Sequence, residues 1–156
     1  MLLFLLRHGA ALSQAPSDSE RPLSITGHEQ ATEAALSLRS HGWIPDVIVS
    51  SPYLRARDTA GCVMKEFGLA GVQLSEHLVP GSDQRNILKE LNSADGNAVL
   101  LVGHEPHISA FLSLLITGSR NLQIAVPTGT LAVIEIERPM VVGKGYLRAL
   151  VPPGQM

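Results

Sequence analysis

Two histidines and three arginines stand where they could share one reaction. Arg7, His8 and Gly9 follow directly on the apolar run at residues 2–6, Arg55 lies in the stretch SPYLRAR, and His104 follows the apolar run AVLLVG. Arg21 comes from the polar stretch SQAPSDSERPLS, residues 13–24. An imidazole can attack phosphorus and later leave again as a phosphoramidate, which splits one hard displacement into two easier ones. The phosphoryl oxygens stay negative throughout, so such a site needs fixed positive donors. Arginine supplies them as a planar fork that remains charged. A histidine nucleophile, several arginines and a second histidine form a coherent metal-free set for phosphoryl transfer.

Other chemistries fit less well. His104 and His107 in HEPH are three apart with Pro106 between them, whereas a zincin helix needs histidines four apart on one face. No metal site and no cofactor are expected. There is no G-x-S-x-G elbow for a serine hydrolase, and no G-x-x-x-x-G-K-[ST] for a P-loop nucleotide enzyme. The lone Cys62 excludes an internal disulfide and a cysteine metal cluster, and it fits a reducing compartment.

The elements that must position these residues alternate in type. Residues 2–6 read as a strand buried on both faces, because the run is continuous. Thr26 and Glu29 form a capping box for a helix over 27–41. Strands follow at 46–50, 72–75 and 98–103, with helices over 53–67, 83–93 and 107–117; Gly68 and Gly118 stop two of those helices. Strands at 130–137 and 145–151 have no helix between them and predict an antiparallel hairpin at one edge. The expected fold is a three-layer α/β sandwich: a mostly parallel central sheet, helices on both faces, and an antiparallel edge near the C-terminus. Residues 1–156 read as one domain, within the usual span of about 100–200 residues. Ligands of such sheets bind beyond the carboxyl ends of the strands. Arg7, His8, Arg55 and His104 all follow such ends, and the loop bearing Arg21 can fold over them.

Bulk properties narrow the setting. The chain is 45% hydrophobic and 17% charged, with twelve basic and fourteen acidic residues. That composition is globular, and the balance offers no general attraction to nucleic acid or anionic membrane. The first apolar run is shorter than the roughly 7–15 residues of a signal peptide, and its positive residue follows rather than precedes it. No window approaches the roughly 18–20 apolar residues of a membrane span. A soluble cytoplasmic protein is expected.

LLRHG, SSPYLRARDTA and LLVGHEP together resemble the histidine phosphatase superfamily. ERPLSITGHEQA is similar to the RPL-T-x-x-G-x-x-QA stretch of its SixA-type phosphohistidine phosphatases, and the short length matches that branch. The motifs run in order from residue 2 to residue 106. The resemblance implies a phosphoglycerate mutase-like fold without large insertions. It implies His8 as the nucleophile that becomes phosphorylated, Arg7 and Arg55 as clamps on the phosphoryl oxygens, and His104 as the group completing the pocket. Arg21 becomes a further phosphate or substrate contact, and Gly9 lets backbone and phosphate approach closely. A phosphohistidine-bearing protein, such as a phosphorelay domain or a phosphotransfer protein, becomes the expected substrate.

The chain departs from the family pattern in two places. Asp58 stands where R-A-x-Q-T-A has glutamine. More consequentially, no residue announces itself as the carboxylic acid that larger members use to protonate an alcohol leaving group; Glu76, Glu105 and Asp18 are the candidates. A missing acid suits phosphohistidine, because imidazole departs far more readily than an alkoxide. The competing readings are a phosphatase for a small phosphomonoester and a phosphate-binding module without turnover. Arg57 is expected to be exposed on its helix, His28, His41 and His77 to be surface or capping residues, and His107 to lie near the pocket edge.

Overall fold

The apolar run after Met1 forms the strand it predicts: β1, Leu2–Arg7, whose residues Leu3 to Leu6 are wholly buried. A computed structural model describes residues 1–155 of the chain. After β1 come α1 (Ile25–Ser40), β2 (Val47–Ser50), α2 (Leu54–Phe67), β3 (Gln73–Leu74), α3 (Gln84–Ser93), β4 (Ala98–Gly103), α4 (His107–Thr117), β5 (Leu131–Glu135) and β6 (Tyr146–Val151). Two short 3-10 turns, Asp18–Glu20 and Glu76–Leu78, lie in the loops. The strands form one sheet in the order β3-β2-β4-β1-β5-β6. The first four are parallel, β5 runs antiparallel to β1, and β6 closes the antiparallel edge on β5.

Alternation along β1 divides the core into two layers. Leu3 and Leu5 pack with Ile87 and Leu91 of α3 and with Ile108 and Phe111 of α4. Phe4 and Leu6 point the other way, into a cluster with Ala34 and Leu38 of α1 and Ala56, Ala60 and Val63 of α2. The alanines on α1 and α2 let those helices approach each other and the sheet. Each buried leucine or phenylalanine stabilises the fold by about 1.5–3 kcal/mol relative to exposure. The three-layer α/β sandwich is the architecture expected from the alternating elements.

Two local readings change. Helix α1 begins at Ile25, and its cap is Ser24, whose hydroxyl accepts the Gly27 N–H at 3.1 Å. Thr26 therefore sits inside the first turn, and Glu29 is exposed rather than closing a capping box. The strand expected at 72–75 shortens to two residues, both exposed, at the sheet's edge. Gly68 and Gly118 do end α2 and α4 in the left-handed conformation, at φ 65° and 77°.

The site follows from the strand order. The chain passes from β1 to β2, leaving between them the position later filled by β4. It finally returns to the other side of β1 as β5. Arg7 of β1 therefore lies level with Gly103 of β4 in the two central strands. Their carboxyl ends open together into the crevice where the strand order reverses, the usual ligand position in such sheets.

Candidate active site

His8 and His104 are the first residues past those two ends. The His8 N–H donates to the Gly103 carbonyl at 3.0 Å, so the β1–β4 ladder extends one step and fixes the nucleophile candidate on rigid backbone. The two rings lie with centroids 4.9 Å apart. Together with Arg7, Arg21, Arg55 and Glu105 they line a cleft of about 390 Å³. The structure thus brings five of the six sequence-predicted site residues to one pocket wall.

The imidazole of His8 is set for attack through one nitrogen. Its Nδ1 lies 2.7 Å from the Gly9 carbonyl, which can only accept, so Nδ1 carries the proton. Nε2 keeps its lone pair and accepts from Arg55 Nε at 3.1 Å. Burial pushes the His8 pKa down to about 4; Arg55, Arg7 and Arg21 push the same way, while the bond to Gly9 opposes them. His8 is accordingly neutral at pH 7. His104 is lowered to about 3, first by burial and then by His8 and Arg55. Its Nε2 pairs with the Ser51 hydroxyl at 2.8 Å.

Two polar atoms of these side chains have no hydrogen-bond partner among the described residues: Arg7 Nε and His104 Nδ1. Arg7 is otherwise tied by Nη1 to the Val126 carbonyl at 2.7 Å, and burial lowers its pKa. Buried polar atoms ordinarily find partners.

Arg55 enters from the first turn of α2 and is almost completely buried. Three residues around it carry no obvious sequence signal. The Tyr53 ring lies beneath the Arg55 guanidinium at 5.1 Å and stands edge-on to His104, also at 5.1 Å. Thr59 donates to the Arg55 carbonyl at 2.8 Å and accepts the Gly9 N–H at 3.1 Å. It ties α2 to the loop after β1. Ser51 orients His104 as described. All three belong to SSPYLRARDTA, whose apolar and polar positions alone do not reveal which side chains face the site.

Gly9 has a different reason to be glycine from the expected approach to phosphate. A Cβ there would sit 2.3 Å from the Gly27 carbonyl oxygen. Gly27 in turn leaves no room for a side chain against Ala10, whose carbonyl oxygen would lie 1.9 Å from its Cβ. The two glycines lock α1 against the loop that delivers His8. Ala10 and Ala11, not Gly9, line the cleft.

Arg21 reaches the cleft from the loop after β1. Its Nε donates to the Leu12 carbonyl at 2.7 Å, and its Nη1 pairs with Asp18 Oδ1 at 3.1 Å. Asp18 also accepts from Arg55, and the two arginines hold its carboxyl below the usual range, Arg21 most strongly. Glu105 lines the cleft, but its carboxylate is engaged by the Ser109 N–H at 3.1 Å and hydroxyl at 2.6 Å, capping α4. Glu76 is exposed and outside the cleft lining. Arg57, His28, His41 and His77 are exposed, His41 as the C-cap of α1. His107, expected at the pocket edge, is instead buried beside Phe111 and does not line the cleft. Among the described residues no group of three or more His, Cys, Asp or Glu side chains could hold a metal, and no helix is long and apolar enough to cross a membrane.

The family model of the histidine phosphatase superfamily (branch 1) matches residues 3–79. A phosphohistidine phosphatase SixA homolog of Haemophilus influenzae is 30% identical over 132 residues, covering 78% of this chain and 80% of that protein. A chloroplastic protein of Arabidopsis thaliana is 29% identical over 140 residues; the match takes in 78% of this chain but 62% of that relative. The solved structure of the protein histidine phosphatase SixA complexed with tungstate superposes with a TM-score of 0.87 at 25% identity, over 98% of this chain and 97% of that one.

Proposed function

Because the chain belongs to the histidine phosphatase superfamily, in its SixA-type branch, we propose that it dephosphorylates a phosphohistidine-bearing protein through phospho-His8, without a metal ion. Phosphatase activity comes with the family; the substrate class and the metal-free course are this reading's own. The observation that carries it is the state of the carboxylates around a ready nucleophile. His8 Nε2 has its lone pair, whereas Asp18 is held ionised between two arginines and Glu105 is spent on capping α4. Glu76 lies away from the cleft. Among the described residues no carboxylic acid is poised to protonate an alkoxide, and a neutral imidazole leaving group needs none.

In the first step the Nε2 lone pair forms a bond to phosphorus in line with the departing nitrogen. The substrate ring, already carrying a solvent-derived proton on its other nitrogen, leaves as neutral imidazole when the P–N bond breaks and the electron pair returns to that ring. Arg55, Arg7 and His104, which line the cleft, donate to the equatorial oxygens as charge shifts among them. In the second step a water oxygen bonds to phosphorus, the P–Nε2 bond breaks, and its pair restores neutral His8. Inorganic phosphate leaves.

The test compares turnover on phosphohistidine proteins with turnover on a panel of sugar and nucleotide phosphates, in EDTA, alongside a trap for acid-labile label. Faster phosphohistidine turnover, insensitive to EDTA, and label lost in His8→Ala are expected. Preference for a phosphomonoester overturns the substrate class. Loss of activity in EDTA with recovery on adding one metal overturns the metal-free course. Label persisting in His8→Ala overturns the nucleophile.

A further inference from the structure

Asp18 does not line the phosphoryl cleft, yet it is the residue most closely bound to the cleft's arginines. Arg55 spends its three nitrogens in two directions. Nε points inward to His8 Nε2 at 3.1 Å. Nη1 donates to the Asp18 main-chain carbonyl at 2.6 Å, and Nη2 donates to Asp18 Oδ2 at 3.1 Å. The outer edge of the guanidinium is therefore gripped by one residue through two different groups, while Nε is left facing the reacting nitrogen. The other carboxylate oxygen, Oδ1, takes Arg21 Nη1 at 3.1 Å.

The loop that presents Asp18 is itself pinned. Leu12 N–H donates to the Pro22 carbonyl at 2.9 Å, and Ala11 bridges to Leu23, which closes the loop's base. Arg21 Nε holds the Leu12 carbonyl. Ser17 donates to Glu20 at 2.7 Å across the 3-10 turn that carries Asp18. A guanidinium held by its outer edge loses the freedom to swing about its long side chain, and phosphoryl-transfer sites depend on such placement.

Resting on the phosphatase reading of the cleft, we propose that Asp18 is a positioning residue. It grips the outer edge of Arg55 and ties Arg21 to it, so that both arginines are held at fixed places around the phosphoryl group. Its contribution passes through Arg55 and not through contact with substrate. As a lowered carboxyl that stays ionised, it acts by charge-assisted hydrogen bonds rather than by giving up a proton.

The experiment uses the full chain with Asp18→Ala, Asp18→Asn and Arg55→Ala, singly and as Asp18→Ala/Arg55→Ala. It reads kcat and KM on a phosphohistidine protein and the Kd of inorganic phosphate by direct titration. Asp18→Ala is expected to lower kcat about ten- to a hundredfold and to weaken phosphate, with the thermal midpoint unchanged. Asp18→Asn, which keeps one acceptor oxygen, should fall between that variant and the parent. In the Arg55→Ala background, removing Asp18 should cost less than about twofold more. Parent-like kcat and phosphate affinity in Asp18→Ala overturn the proposal. So does tighter phosphate binding, which would make Asp18 an inhibitory occupant, and so does a full additional loss in the Arg55→Ala background. Phosphate titration needs no turnover, so it reads the Asp18 contribution even if phosphohistidine proves not to be the substrate. A parent chain that binds no phosphate overturns both readings.

Discussion

Arg55 and Arg21 line the same cleft from two very different parts of the molecule. The Arg55 side chain is 5% exposed, rooted in the first turn of α2 just past β2, and stacked on Tyr53. The Arg21 side chain is 32% exposed and hangs from the loop after β1, held by Leu12 and Asp18. Strand ends deliver one half of the site: His8, His104, Arg7 and, one turn later, Arg55. The loop delivers the other half. The first half is fixed by two core clusters and a continuous ladder; the second is fixed by a handful of polar contacts beside water. Charge in the buried half acts in a low-dielectric surrounding, whereas exposed charge is screened.

The comparison breaks first at Arg55. Arg55→Ala should cost about a hundred- to a thousandfold in kcat/KM, the scale of losing one pre-placed donor to a developing charge, while the fold persists. Steady-state rates with a thermal melt check it. A loss under tenfold would mean that burial does not set a donor's worth here. Arg21→Ala should cost far less, about two- to fivefold, and mostly in KM. Its effect should shrink as salt rises, because its charge faces solvent. Rates at low and high ionic strength separate the two arginines: the Arg55 deficit should hold across salt and the Arg21 deficit should fade. Equal salt dependence would erase the distinction between the two halves.

The same divide governs what the sequence reveals. LLFLL and AVLLV are continuous apolar runs, so they read as buried central strands, and the residues that follow them read as a site because sheets of this class open there. His8 and His104 need no loop geometry to be found. Residues 13–24 have no period, and their conformation depends on which distant groups they meet. That Asp18 faces Arg55 is a tertiary fact, invisible without α2 in place. Helix α1 shows the same limit at small scale. Thr26 is the cap expected from its spacing to Glu29, yet the helix takes Ser24, whose own N–H and hydroxyl reach the Ala10 carbonyl. Gly9 was recognisable as special, but the partner that makes it so, Gly27, lies eighteen residues on in the chain.

The smallest effect concerns a buried histidine that the site does not use. His107 is as buried as His104 and three residues from it, yet it packs by Phe111 and lines no part of the cleft. Neither ring nitrogen has a well-formed hydrogen bond among the described residues. Burial, aided by Arg120 and opposed by Asp83 and the His77 carbonyl, lowers its pKa to about 4. In the unfolded chain the same ring has a pKa near 6.5. Between those two values the unfolded state binds a proton that the folded state refuses, so stability falls as pH drops from about 6.5 toward 4. His8 and His104 contribute in the same direction, and under the proposed mechanism turnover should fall in acid as they lose the neutral form. His107→Leu removes one of the three without touching the cleft. At pH 7 it should change stability by no more than about 1 kcal/mol, since two poorly satisfied nitrogens give way to an apolar group of similar size. Turnover there should stay within about twofold of the parent. At pH 5 the variant should outlast the parent in urea, and the gap should widen as pH falls. Urea midpoints at pH 7 and pH 5 decide it. A parent and variant that lose stability in parallel would show that His107 is not refusing a proton. Acid sensitivity would then belong to the cleft histidines alone, and burial at the strand ends, not burial in general, would be what this fold defends.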